Sequence, residues 1–139
     1  MRLIGNILWL ILGGLEMAVA YVVAGLFSII LIVTIPLVVP AFRMASFSLW
    51  PFGRAMVSQP GAGAGSAVAN VIWFLLPGWI LALLHIFFGV LLCITIIGIP
   101  FGVAHFKLAG LAVRPYGKDI VDVSSMSNAA EYLTVAPLA

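Results

Sequence analysis

Asn6-Ile7-Leu8-Trp9-Leu10-Ile11-Leu12-Gly13-Gly14 returns 64 residues later as Asn70-Val71-Ile72-Trp73-Phe74-Leu75-Leu76-Pro77-Gly78. The register then holds without a gap, from Asn6–Arg54 onto Asn70–Lys118. Leucine over isoleucine means little between two apolar segments, so the rarer residues decide. Gly25 falls on Gly89, Pro36 on Pro100, Phe42 on Phe106, Pro51 on Pro115 and Gly53 on Gly117. Basic character also matches, at Arg43/Lys107 and Arg54/Lys118. This is an internal duplication. Such repeats are frequent in membrane proteins and often give two pseudo-symmetric halves.

Composition supports a lipid solvent. Of 139 residues, 65% are hydrophobic and 7% charged, against about 25% charged in ordinary soluble domains. A chain this short has too much surface for its volume to hide that apolar load from water. The formal charge of +2 is small and dispersed, which argues against a nucleic-acid partner. Cys93 is the single cysteine and so cannot form an intrachain disulfide. Arg2 followed by apolar residues resembles the start of a secretory signal. The apolar character continues to Phe42, however, well past an h-region of roughly 7–15 residues. The segment is therefore expected to stay in the membrane.

The repeat divides the chain into an apolar unit at 3–54, a Gly/Ala-rich linker at 55–69, a second unit at 70–118 and a polar tail at 119–139. The tail holds three of the four acidic residues, and a short helix is expected at Asn128–Leu133. The expected fold class is all-α, an integral membrane bundle of two hairpin-like repeats with kinked, re-entrant or interfacial helices. Leu3–Phe42 and Val68–Phe106 are each near twice the about 20 residues that one pass requires. All six basic residues flank these blocks and none lies inside them. Two hairpins would place the termini and the linker on one side, the cytoplasmic side by the positive-inside rule. The alternative is one full pass and one re-entrant piece per repeat. Helix breaks are expected at Gly14 and Gly78, with their neighbours Gly13 and Pro77, and again at Pro36 and Pro100. Trp9, Trp50, Trp73, Trp79 and Tyr116 are expected to anchor at the interface.

Thr95-Ile96-Ile97-Gly98-Ile99-Pro100-Phe101-Gly102, Phe106-Lys107-Leu108-Ala109, Asn70-Val71-Ile72-Trp73 and Trp50-Pro51-Phe52-Gly53-Arg54 together resemble the YccF family of small bacterial inner-membrane proteins. That family carries a duplicated inner membrane component domain, and the resemblance covers about Leu3–Val121. It implies a multi-pass protein of the bacterial inner membrane and brings no chemistry with it. The first repeat departs from the family pattern, with Thr34-Ile35-Pro36-Leu37-Val38 in place of the Gly-Ile-Pro-Phe-Gly core, and with Glu16.

Candidate functional residues are few. Glu16 is the single acidic residue within the apolar blocks, and a carboxylate in lipid is costly enough to mark a site by default. Placement near a turn or in the headgroup region would make it ordinary. His85, aligned with Tyr21, is a candidate for an interhelical hydrogen bond or a proton relay. His105, beside Lys107, is expected at the interface. Asn6 and Asn70 suit a contact joining the two halves, a pore lining, or an N-cap. Gly25 and Gly89 suit close helix packing. The proline breaks suit kinks, or free carbonyls that hold an ion. Two histidines and one cysteine without ligand spacing point to no metal, and no cofactor motif or catalytic dyad is present. The expected role is a non-enzymatic structural or accessory subunit. Its partners would be membrane lipids and either further copies of itself or a larger membrane protein. An oligomeric channel or small-solute transporter is the alternative.

Overall fold

The computed structural model describes residues 2–30, 35–36, 38–59 and 61–125. Thr34 and the helix expected at Asn128–Leu133 lie outside these residues. The first repeat runs through α1 (Arg2–Trp9), a π-type turn (Leu10–Gly14), α2 (Leu15–Ile30), α3 (Val38–Leu49) and strand β1 (Arg54–Ser58). The second repeats the order with α4 (Ala64–Trp73), a π-type turn (Phe74–Gly78), α5 (Trp79–Cys93), α6 (Ile99–Ala112) and strand β2 (Lys118–Asp122).

The π-type turns follow from the Trp-x4-Gly spacing. In these turns the Leu15 N–H reaches Leu10 O and the Trp79 N–H reaches Phe74 O, five residues back. Five-residue closure aligns Trp9 with Gly14 and Trp73 with Gly78. A Cβ on Gly14 would lie 2.2 Å from the Trp9 indole, and one on Gly78 would lie 2.7 Å from that of Trp73. The glycines are there because the indoles need the space. In the first repeat the turn is a true break, with Leu12 at φ −93° and Gly13 at φ 128°. Gly13 supplies the left-handed backbone that a side chain would resist. Its counterpart Pro77 lacks an N–H to donate, which fits a bent but continuous helix.

After the turn each repeat forms a helical hairpin. Gly25 of α2 seats the Phe42 ring of α3, and Gly89 of α5 seats the Phe106 ring of α6. These are repeat-equivalent contacts. The stretches Arg2–Ile30 and Ala64–Cys93 are long and apolar enough to cross a membrane. The returning helices are shorter. The 12 residues of α3 and 14 of α6 span about 18 and 21 Å at about 1.5 Å per residue.

The fold is not purely helical. β1 and β2 form a two-stranded antiparallel sheet with Arg54 opposite Asp122 and Ser58 opposite Lys118. The expected flexible linker therefore begins as a strand, and α4 opens inside it at Ala64. The tail likewise begins as a strand rather than as free chain. The central rung joins Met56 to Ile120, its own repeat counterpart. A second contact between counterparts lies deeper, where Tyr21 meets His85. Both points mark a pseudo-two-fold axis that runs from the sheet along the hairpins. The repeats are thus parallel and point the same way.

The core is continuous across both halves. Trp9, Tyr21, Met44, Phe47, Met56, Trp73 and Leu108 are all fully buried within it. Outward, α1, α2, α4 and α5 present Ile, Leu, Val and Phe side chains on nearly every turn. In water that surface would be untenable; in lipid it is the solvated face.

Candidate functional site

Asn6 and Asn70 work inside their own repeats. The Asn6 amide donates to Phe52 O and accepts from the Phe52 N–H, both at 3.0 Å. Asn70 does the same with Tyr116, at 3.3 and 2.9 Å. Each asparagine imitates a paired strand and pins the start of its repeat to the Pro-aromatic-Gly turn at the end. The geometry corrects the expectation that they join the two halves, ring a pore or cap a helix. It also returns the chain to the level at which it entered. Next to them, the Trp9 indole donates to Ser48 O at 2.6 Å and that of Trp73 to Ala112 O at 2.7 Å. Both tryptophans are fully buried, so they are internal ties rather than the interfacial anchors expected. Trp50 and Trp79 remain exposed, at 37% and 46%.

A buried polar chain occupies the pseudo-axis. The Tyr21 hydroxyl lies 3.2 Å from His85 Nε2, and His85 Nδ1 lies 3.0 Å from His105 Nδ1. Two proton arrangements satisfy it. In one, Tyr21 donates to His85, His85 donates to His105, and His105 Nε2 carries a proton. In the other every bond is reversed, and His105 Nε2 is left as an acceptor. His105 is 0% exposed, which overturns its expected place at the interface. Its ring stacks on Trp9 at 4.4 Å and on Phe88 at 5.6 Å. Its Nε2 closes no hydrogen bond of good geometry among the described residues, and the Leu12 backbone is what the ring meets on that side. That atom faces the break, 3.0 Å from where a Cβ on Gly13 would stand.

The polar residues that break the repeat converge here. His105, Gly13 and Ser48 stand where the other repeat has Ala41, Pro77 and Ala112; His105 and Ser48 contact Trp9, and Gly13 faces the His105 ring. Ser48 Oγ is a buried atom without a hydrogen-bond partner among the described residues. The cluster has no carboxylate to stabilise an imidazolium. Glu16 is exposed on the first turn of α2, two residues after the break at Leu10–Gly14 and apart from this polar chain; that placement near a turn is the ordinary one. Among the described residues, no three potential His, Cys, Asp or Glu ligands gather. The proline segments are also internally satisfied. Pro36 O accepts from the Tyr116 hydroxyl at 3.0 Å, Pro100 sits in the first turn of α6, and the Gly98 N–H bonds Thr95 Oγ1 at 3.1 Å.

At the sheet end the basic residues engage backbone oxygens and one carboxylate. Arg43 crosses to the other repeat, pairing with Asp119 at 3.3 Å and donating to Lys118 O. Arg54 closes on Trp50 O at 2.7 Å and on Ser46 O at 2.6 Å.

Sequence comparison agrees with this architecture. The chain is 37% identical over 140 aligned positions to the Inner membrane protein YccF of Escherichia coli (strain K12), covering 94% of this chain and 95% of that protein. The protein of the same name from Shigella flexneri matches to the same extent. No solved structure matches. The family profile described as the inner membrane component domain matches twice, at residues 4–54 and 68–118. These two matches fall on the two structural repeats, and with the identity across the whole chain they place this protein in the YccF inner membrane component family.

Proposed function

We propose that this protein is a non-enzymatic accessory or structural subunit, acting as a multi-pass platform in the inner membrane. Its two hairpins enter from and return to the cytoplasmic side. The observation behind this reading is the filled axis. Between the parallel halves lie Tyr21, His85, His105 and Trp9, packed without a file of solvent-facing groups. Among the described residues these four side chains are fully buried, which argues against a path between the repeats of one chain. Large apolar residues instead point outward over most of the helical surface, as suits contact with lipid and with other membrane helices. Gathering both strands and most of the basic residues at one end supports the common-side topology.

A channel formed between several copies is the competing reading, and Glu16 on the outer surface of α2 is the residue it would use. Reconstituted liposomes separate the two. Solute and proton flux is expected to equal that of empty liposomes across pH and salt. Flux that Glu16→Gln abolishes would overturn the accessory role. Capture of the intact protein in mild detergent, with its native size measured, is expected to give a stable complex larger than one chain. For topology, single cysteines at Ala62 and Ser124 in a Cys93→Ser background are expected to be labelled from the same side. Labelling from opposite sides defeats the two-hairpin arrangement.

A further inference from the structure

Beside α4 the structure opens a cleft of about 550 Å³. Its lining is apolar at Val71, Phe74, Leu75 and Val113 and polar at Asn70 and Arg114. Phe74 and Leu75 are also exposed outward, so the cleft opens towards the lipid-facing surface. Arg114 directly follows α6, at the end of the molecule that holds the sheet. Among the described residues its side chain makes no hydrogen bond or ion pair. Lys118 stands close by. Burial holds its ammonium below the usual lysine range, and the Arg114 charge pushes the same way. The nearby carboxylate of Asp119 is already taken, by Arg43 and by the Gln59 amide.

The duplication supplies an internal comparison. In the first repeat Trp50 stands in place of Arg114, and Arg54 in place of Lys118. Arg54 is fully engaged there by Trp50 O and by both oxygens of Ser46. Only the second repeat therefore sets an unengaged guanidinium, that of Arg114, in the lining of an apolar cleft, and an anion there would neutralise it.

We propose that this cleft binds one anionic phospholipid, with its phosphate on Arg114 and an acyl chain along Val71, Phe74 and Leu75. The phosphate would accept charge-assisted hydrogen bonds from the Arg114 guanidinium. The chain would cover apolar surface that no other part of the protein covers. Basic pockets between membrane helices near the cytoplasmic face are suited to such headgroups.

Native mass spectrometry of the full chain in mild detergent tests this, with equimolar phosphatidylglycerol and phosphatidylethanolamine as probes. The wild type is expected to retain one phosphatidylglycerol in preference to phosphatidylethanolamine. Arg114→Gln is expected to weaken that retention about tenfold or more, the scale of one lost charge-assisted bond. Val71→Trp, at an exposed position, is expected to block the cleft with the Arg114 charge intact; it carries the test if Arg114→Gln does not fold. Arg54→Gln, at the matching place in the first repeat, is expected to leave retention unchanged. Equal retention of the two lipids, or wild-type retention by Val71→Trp, overturns the site. If inorganic phosphate raises the melting temperature as much as phosphatidylglycerol does, the cleft is a free-phosphate site and the lipid assignment fails.

Discussion

Replacing Asn6 with alanine is expected to be among the more costly single changes in this protein. The Asn6 side chain is fully buried and closes two 3.0 Å bonds with one residue, Phe52, 46 positions away. Alanine removes both bonds and leaves the Phe52 N–H and C=O without partners. A typical hydrogen bond contributes about 1 kcal/mol net, and a buried group left unpaired costs about 1–3 kcal/mol. Phe52 is half-buried, so its freed groups are only partly denied water. The loss should total about 2–4 kcal/mol. Asn70 provides the control. It is itself half-buried and its donor bond is longer, at 3.3 Å, so Asn70→Ala should cost about 1–2 kcal/mol. Taking about 2–4 °C per kcal/mol for a chain of this size, Asn6→Ala should melt roughly 4–16 °C below wild type and Asn70→Ala roughly half as far. Cys93, the single cysteine and only partly buried, makes the assay direct: a fluorogenic maleimide reports its exposure as the detergent-solubilised protein is heated. If Asn70→Ala falls as far as Asn6→Ala, or if Asn6→Ala melts with the wild type, the clamp is not what holds the repeat closed.

Other positions follow the same logic. Gly89→Ala puts a methyl group 2.6 Å from the Phe106 ring, whereas Gly25→Ala puts one 3.1 Å from Phe42. The first should destabilise by about 1–3 kcal/mol and the second by less, in the same thermal assay. Gly13→Ala meets both a φ of 128° and the His105 ring; its loss should exceed that of Gly65→Ala, where nothing lies within 4 Å of the added carbon. Tyr21→Phe removes the partner of His85 Nε2 and should cost about 1–2 kcal/mol; no loss would mean the axis contact is incidental. Burial pushes the Tyr116 phenol above its ordinary value of 10.0. The folded state then holds that proton more tightly than the unfolded state, so stability is full below about pH 10 and falls above it. Tyr116→Phe should flatten that alkaline decline relative to wild type, and an unchanged slope would refute it.

Much of the architecture was legible because duplication turns single residues into pairs. Asn6/Asn70, Trp9/Trp73, Gly14/Gly78 and Gly25/Gly89 were singled out as pairs, and each pair makes the same contact in both repeats. What they contact was not legible. An asparagine near the start of an apolar block reads equally as a cap, a bridge or a pore residue. Only the return of the chain to Phe52 and Tyr116 decides between them. Tryptophan at the end of an apolar run suits a buried place and an interfacial one equally, so Trp9 and Trp73 are not told apart from anchors by sequence. The strands were hidden for a different reason. Arg54–Ser58 and Lys118–Asp122 are five residues each, polar at their ends, and gain their ladder from a partner 64 residues away. His105 lies furthest from its expected place. Its neighbour Lys107 is exposed, and two residues along a helix is enough to point a side chain at the opposite face.

The rung between Met56 and Ile120 has a consequence for how such a chain can arise. A ladder whose middle joins a residue to its own counterpart is the geometry of an isologous homodimer. In that geometry a second molecule of one repeat would stand in place of the second half. Fusing two such molecules end to end would keep the interface and release the sequence from obeying it twice. Each half could then diverge alone, and the residues around Trp9 are where this one did.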